Sequence, residues 1–521
     1  MKNDLLAAIF SNNMVLQCDK PIRIFGNAGA GDEVSVSLGD AESSAIADKD
    51  GHWEVILPPM SADTDLTLKA RSGNIKDTLK NVAIGEVWLA GGQSNMEFEL
   101  GNCTDWERVK ENPNPNIRFF YSPKLPFVDD RYEKAWDEAG WATVTSKYFN
   151  TWSAVAYLFA EQLAPKLGCT IGLIGCNWGG TSASCWVSRE TLSSDKDLAV
   201  YIKDFDKKIK GITDKQQLKA YKDYEVYNDD WQARCNKLYQ KNPTIEWSEV
   251  LETLGECKWP GPMNNYNPFR PCGLYEIMIK KICPYTIRGF LYYQGESDDT
   301  RPALYYKLMK ALIDQWRDDW KDQGLVFLIT QLPMHRYMDS KDFRNWPIIR
   351  EAQLKAFQTV RNTGIAIIPD CGERNNIHPV DKSNVGKRLA LQALFFAYDR
   401  ISDTQAFGPI YEYKVPCGHS IKLYFKHAKR GMNIIGEPRH YYVAGADKVY
   451  HEAMPSVDGN CLTLAADEVE QPIYARYCWG NYNTPTLFGV NGLPASPFRT
   501  DPDPVADAKV GADVMKQSLE L

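Results

Sequence analysis

Five short runs between residues 85 and 400 are apolar with hardly a break. They are Glu86-Val87-Trp88-Leu89-Ala90, Ile171-Gly172-Leu173-Ile174-Gly175, Ile287-Arg288-Gly289-Phe290-Leu291-Tyr292-Tyr293, Leu325-Val326-Phe327-Leu328-Ile329 and Ile365-Ala366-Ile367-Ile368. Amphipathic helical stretches at about 152–167, 302–320, 347–361 and 384–398 lie between or after them. A strand without polar alternation is buried on both faces, and strands alternating with helices build a parallel sheet covered on each side. An α/β domain with a five-stranded parallel sheet is therefore predicted over residues 85–400. One span, about 190–280, breaks the rhythm. It is charged and carries Tyr201, Tyr221, Tyr224, Tyr227 and Tyr239, then ends in the loop Trp259-Pro260-Gly261-Pro262-Met263-Asn264-Asn265. It reads as a mostly helical insertion, placed to overhang the functional edge.

The flanks have a different period. Residues 1–84 carry alternating runs such as Val34-Ser35-Val36-Ser37-Leu38 and Trp53-Glu54-Val55-Ile56-Leu57, separated by Gly- and Asp-rich turns. Alternation returns over 401–521, in Ile421-Lys422-Leu423-Tyr424-Phe425 and Cys461-Leu462-Thr463-Leu464. Both are expected to be β-sandwich-like regions flanking the α/β core. The polar tail after Thr500 is expected to fray.

Composition removes several function classes. The 521 residues hold 60 Lys and Arg against 67 Asp and Glu, a net charge of −7, which argues against a nucleic-acid or anionic-membrane partner. No apolar run reaches the ~18 residues of a membrane span. The start, MKNDLLAAIFSNNMVLQ, lacks the pattern of a signal peptide. A cytoplasmic protein is expected, or a secreted or periplasmic one if a leader precedes this sequence. Thirteen cysteines without CxxC pairs point to buried reduced thiols. No metal-binding motif or phosphate loop occurs, so neither metal nor cofactor is expected.

In an open parallel sheet, ligands gather beyond the C-terminal strand ends. After the first strand comes Gly91-Gly92-Gln93-Ser94-Asn95-Met96-Glu97, and after the second Asn177-Trp178-Gly179-Gly180-Thr181-Ser182. After the third comes Gln294-Gly295-Glu296-Ser297-Asp298-Asp299, and after the fifth Pro369-Asp370-Cys371-Gly372-Glu373-Arg374-Asn375-Asn376-Ile377-His378-Pro379. One rim thus collects a hydroxyl, an imidazole, glycine N–H groups and a side-chain amide, the inventory for acyl transfer through a serine. Each piece also has a plainer use. A Ser behind two glycines can be a helix N-cap, Gly179-Gly180 a tight turn, and Glu296 and Asp298 helix-start acids before Arg301-Pro302. The block Gly92-Gln93-Ser94-Asn95-Met96 lacks the last glycine of a nucleophile elbow.

Taken together, these blocks resemble those of sialate O-acetylesterase-type enzymes of the SGNH hydrolase superfamily. Glu86 to Glu97 resembles the first block, Gly179-Gly180-Thr181 the second, Tyr293-Gln294-Gly295-Glu296-Ser297-Asp298 the third and Ile377-His378-Pro379 the last. Met14-Val15-Leu16-Gln17, Asp50-Gly51-His52-Trp53 and the run from Gly492 to Asp501 resemble the flanking β regions of that group. The resemblance implies an SGNH-hydrolase-like core with Ser94 as nucleophile and His378 as its base. It implies an oxyanion hole from the Ser94 N–H, an N–H of Gly179 or Gly180 and the Gln294 amide. Glu296 and Asn376 are expected to support the loops or bind substrate.

The sequence departs from the wider superfamily where Gln93 replaces an Asp, Gln294 an Asn, and Asn375 the Asp three residues before the His. The group that orients His378 is left open between an Asn or backbone carbonyl at 375–376, Glu373, and Asp370 or a remote acid. The reading is a serine esterase for acetylated carbohydrates, with O-acetylated sialic acids as the leading substrate. Xylan or another plant glycan is the alternative substrate, and a sugar-binding protein with an inactive hydrolase core is the alternative from another class. A sialate carboxylate would need a cation, for which Arg270, Arg301 and Arg374 are candidates by loop position.

Overall fold

A computed structural model describes residues 4–242, 245, 247–336 and 345–502. The chain forms two compact units, one made of residues 1–123, 135–183 and 282–521, the other of 124–134 and 184–281.

The first unit is built on an 11-stranded sheet. Six of its strands run parallel, side by side, in the order Thr363–Ala366, Val326–Thr330, Gly289–Tyr293, Ile75–Gly92, Ile171–Asn177, Ile117–Tyr121. The parallel part therefore has one strand more than the five expected. The addition is Ile-Arg-Phe-Phe-Tyr, whose second residue, Arg118, interrupts the apolar run. Its side chain is nevertheless buried, because the guanidinium donates to the carbonyls of Asn13 and Asn81. Trp141–Thr143 adds an antiparallel edge. Helices Ala154–Leu167, Pro302–Asp319, Asn345–Thr359 and Ser383–Phe396 fall where the periodicity places them. Local chemistry sets their ends: the Ser153 hydroxyl accepts from the Ala156 N–H, Gly168 stops the same helix at φ +70°, and Pro302 opens the second.

Ile75–Gly92 is 18 residues long and serves two regions. Its first half pairs antiparallel with Asp63–Ser72, and its last seven residues pair parallel with Ile171–Asn177. Glu33–Leu38 and Ala41–Ile46 continue the sheet on the N-terminal side, while Ile22–Asn27 and His52–Leu57 form a separate antiparallel pair. At the C-terminal end, two four-stranded antiparallel sheets share one apolar cluster that includes Ile421, Leu423, Phe425, Tyr441, Val443, Leu462, Leu464 and Tyr477. Asp501 is buried and ion-paired with Arg476 and Arg499, and the tail from residue 503 lies outside the described residues. All thirteen cysteines are free thiols. Among the described residues no helix is long and apolar enough to cross a membrane.

The second unit is mainly helical, with Ala199–Ile209, the 28-residue helix Asp214–Lys241, and Trp247–Leu254. A capping box between Thr213 and Gln216 starts the long helix, and Trp231, Cys235 and Val250 form a small core.

Candidate active site

Parallel pairing brings three strand ends level. Gly92 pairs with both Asn177 and Tyr293, so the segments that follow leave from one rim. Gly92 has φ +128°, and a Cβ there would stand 2.1 Å from the Tyr293 carbonyl oxygen, which leaves room only for glycine. The chain then turns into the short helix Ser94–Glu97. The loop after Thr363–Ala366 brings His378 to the same place, with Nε2 2.8 Å from Ser94 Oγ.

Asn95 and Gln93, on either side of Ser94, tie the other blocks to it. Asn95 is fully buried. Its amide donates to Glu296 Oε1 (2.7 Å) and to the Ile377 carbonyl (2.9 Å), and its oxygen accepts from Lys382 Nζ (2.6 Å). Gln93 Oε1 accepts from Gln294 Nε2 and from the Ser297 N–H, both at 3.2 Å. This is an acceptor's task that a neutral amide oxygen meets. Asp298 joins the second and third blocks: its carboxylate accepts from Ser182 Oγ (2.6 Å), the Ala183 N–H (2.8 Å) and Gln294 Nε2.

The expected donors are placed as follows. Gln294 Oε1 accepts from the Tyr305 hydroxyl, and Nε2 faces Gln93 Oε1, the Thr181 carbonyl and Asp298. Both amide hydrogens are thus taken by described acceptors. Gly179 lies against Ser94, since a Cβ there would be 3.3 Å from Ser94 Cβ, and its N–H donates to Glu97 Oε2. Gly180 follows at φ +74°. Asn376 does not reach the imidazole: Oδ1 accepts from the His378 backbone N–H (3.0 Å), and Nδ2 donates to Glu373 Oε2 (3.1 Å). Glu373 also takes the Val380 N–H, and Asp370 is paired with Arg388. Among the described residues no group accepts a hydrogen bond from His378 Nδ1. Of the three candidate cations, Arg270 is buried with its guanidinium on the carbonyls of Pro126 and Asn267, Arg301 is half-buried with its charge acting on Asp298, and Arg374 is exposed.

Burial sets the electrostatics. It holds the His378 imidazole below its usual value, helped by the charges of Lys382 and His335 and opposed by Glu97. The imidazole is therefore neutral at pH 7. Lys382 is pushed down to about 8 by burial, and its ammonium faces the rings of Phe98 and Tyr293. Burial raises the Glu296 and Asp298 carboxyls, and Glu296 Oε2 has no hydrogen-bond partner among the described residues. Sequence reasoning missed Asn95 and Lys382. The one signal they carry is position: Asn95 follows the serine and Lys382 stands four residues after the histidine.

A hydroxyl bonded to an imidazole at the C-terminal rim of a parallel sheet is the arrangement of an acyl-transfer centre. The family described as carbohydrate esterase, sialic acid-specific acetylesterase matches residues 262–394, a span that holds Gln294, Glu296, His378 and Lys382. The sialate O-acetylesterase of Pongo abelii is 26% identical over 560 residues, covering 96% of this chain and 93% of its own length. That of Homo sapiens is 25% identical over 547 residues, covering 94% and 91%. A solved carbohydrate acetylesterase from Xanthomonas citri shares the fold with a TM-score of 0.76 at 25% identity, over 96% of this chain and 99% of the other. The chain is a carboxylic ester hydrolase. Within that class it is sialate O-acetylesterase-like along most of its length.

Proposed function

We propose that this esterase, with an SGNH-type core, removes O-acetyl groups from carbohydrates, O-acetylated sialic acids being the leading substrate. The observation that carries the mechanism is the 2.8 Å approach of Ser94 Oγ to His378 Nε2. Neutral His378 takes the Oγ proton as the oxygen attacks the acetyl carbonyl. The tetrahedral oxyanion is held by the N–H of Ser94 and those of the Gly179-Gly180 turn, donors worth ~10²–10³ in rate each. The Gly179 N–H leaves Glu97 Oε2 to do so. Collapse of the intermediate returns the proton to the departing sugar alkoxide and leaves acetyl on Ser94. Water then enters and gives a proton to His378 as its oxygen attacks the acetyl carbonyl. The imidazolium passes that proton to Ser94 Oγ as the C–Oγ bond breaks and acetate leaves. In this reading Gln294 braces the second block against the third, and its committed hydrogens leave the oxyanion to backbone donors. Glu296 supports Asn95 from beneath. Arg374, exposed in the His378 loop, is the cation proposed for a sialate carboxylate.

The test is acetate release from acetylated sialosides, acetylated xylan and phenyl acetates, by the wild type and by Ser94→Ala. Release that is fastest on the sialosides and lost in the variant supports the proposal. Equal turnover in Ser94→Ala would remove the nucleophile assignment, and a preference for xylan would remove the substrate.

A further inference from the structure

The Gly179 N–H is already occupied. It donates to Glu97 Oε2, and a Cβ built on Gly179 would lie 3.2 Å from that oxygen and 3.3 Å from Ser94 Cβ. Carboxylate, glycine and nucleophile therefore meet at one point. Ser94 and Glu97 are the first and last residues of one helical turn, and positions three apart share a helix face. The turn that presents the serine thus also presents the acid. Glu97 is half-buried, so its side chain has a route to water.

We propose that the Glu97 carboxylate is an internal occupant of one oxyanion donor, the Gly179 N–H, for which it competes with the product acetate. This rests on the esterase reading above, in which that N–H holds the oxyanion. Acetate leaves the acyl-enzyme as a carboxylate, and its oxygens seek the same donors. A tethered carboxylate meets them at an effective concentration that free acetate reaches only when abundant. The oxyanion of the transition state is covalently fixed at Ser94 and displaces Glu97 when it forms. A free anion has no such anchor. Glu97 then swings toward water during the chemical step and returns as acetate departs.

The test is the inhibition constant of sodium acetate for the wild type, Glu97→Gln and Glu97→Ala. Each is measured against the enzyme's own turnover of a chromogenic acetate ester, with sodium chloride at equal ionic strength as control. Acetate should inhibit Glu97→Ala about tenfold more tightly than wild type, the scale of losing one charge-assisted competitor. Glu97→Gln, which keeps the shape and an accepting oxygen without the charge, should fall between and guards against a loss of folding in the alanine variant. Unchanged or weaker inhibition in both variants would overturn the inference and make Glu97 a strut of the Trp178–Gly180 turn. Ser94→Ala in the same assay separates the two layers. If it is inactive while acetate affinity fails to tighten at Glu97, the inference fails and the esterase reading stands. If it stays active, the reading fails first.

Discussion

The Asn95 side-chain amide donates to the carbonyl of Ile377 over 2.9 Å, so the residue after Ser94 holds the residue before His378. The two partners stand 282 positions apart, and their bond fixes the distance between the hydroxyl and the imidazole from one step away. Asn95→Ala would release that tie and strip a partner from buried Glu296 and Lys382. We expect kcat to fall by about ten- to a hundredfold with KM little changed, and stability to drop by about 1–3 kcal/mol. Steady-state kinetics and urea unfolding check the two together. A change confined to KM would mean that Asn95 positions substrate instead of the base.

Ser94 is only partly buried, and Ser94→Ala removes one oxygen. Its melting temperature should stay close to that of the wild type, while kcat falls by several orders of magnitude. His378→Ala should cost about as much, and the double variant little more, because the two act as a unit.

The pH profile follows from the charges around His378. Its imidazole sits below the usual value, so the acid limb of kcat/KM should have its midpoint below ~6.5. Lys382→Met removes a positive neighbour, and the midpoint should move upward. The same lysine marks stability at the alkaline end. Folded Lys382 titrates near 8 against an ordinary 10.5, so between those values the unfolded chain binds more protons. Its share of stability should therefore rise as pH climbs through that window. Comparing the urea midpoints of wild type and Lys382→Met across it isolates the contribution, and parallel curves would contradict it.

Neither nearby acid touches the imidazole. Glu373 is held by Asn376 and the Val380 N–H, and Asp370 by Arg388. Glu373→Gln and Asp370→Asn should each reduce kcat less than about tenfold, far short of the ~10⁴ lost when a triad Asp becomes Asn. Asp370→Asn should also cost about 1–3 kcal/mol, since the Arg388 side chain is buried. A loss of rate near 10⁴ from either change would show an acid serving His378.

Arg374→Ala should raise KM for acetylated sialosides about tenfold and leave phenyl acetate turnover alone, because only the sialoside carries a carboxylate to pair with. An equal effect on both substrates would tie Arg374 to the loop's shape.

The parts of this fold that were legible in the sequence are those buried on both faces. Val87 to Ala90 and Phe327 to Ile329 read as strands because water touches neither side. Ile117–Tyr121 escaped because Arg118 looks like a surface residue until its guanidinium finds the Asn13 and Asn81 carbonyls. In the site, Ser94 and His378 stood out by residue type and strand-end position. Asn95 and Lys382 did not, since a neutral amide in a helix and a lysine at a helix start are commonplace, and their bonds cross 282 and 287 positions that no local pattern links. The same holds for Gln294: its type suggests a donor, while the saturation of its two hydrogens depends on three partners brought together by folding.

Ile75–Gly92 enters the molecule among the N-terminal strands and leaves it two residues before Ser94. A chain cut at residue 84 would sever a strand in mid-course, parting the stretch paired with Asp63–Ser72 from the stretch paired with Ile171–Asn177 and Gly289–Tyr293. The N-terminal strands are in that sense not cargo. They share one continuous backbone with Gly92, so a truncation or a fusion joint placed inside Ile75–Gly92 would disturb the strand that leads into Ser94.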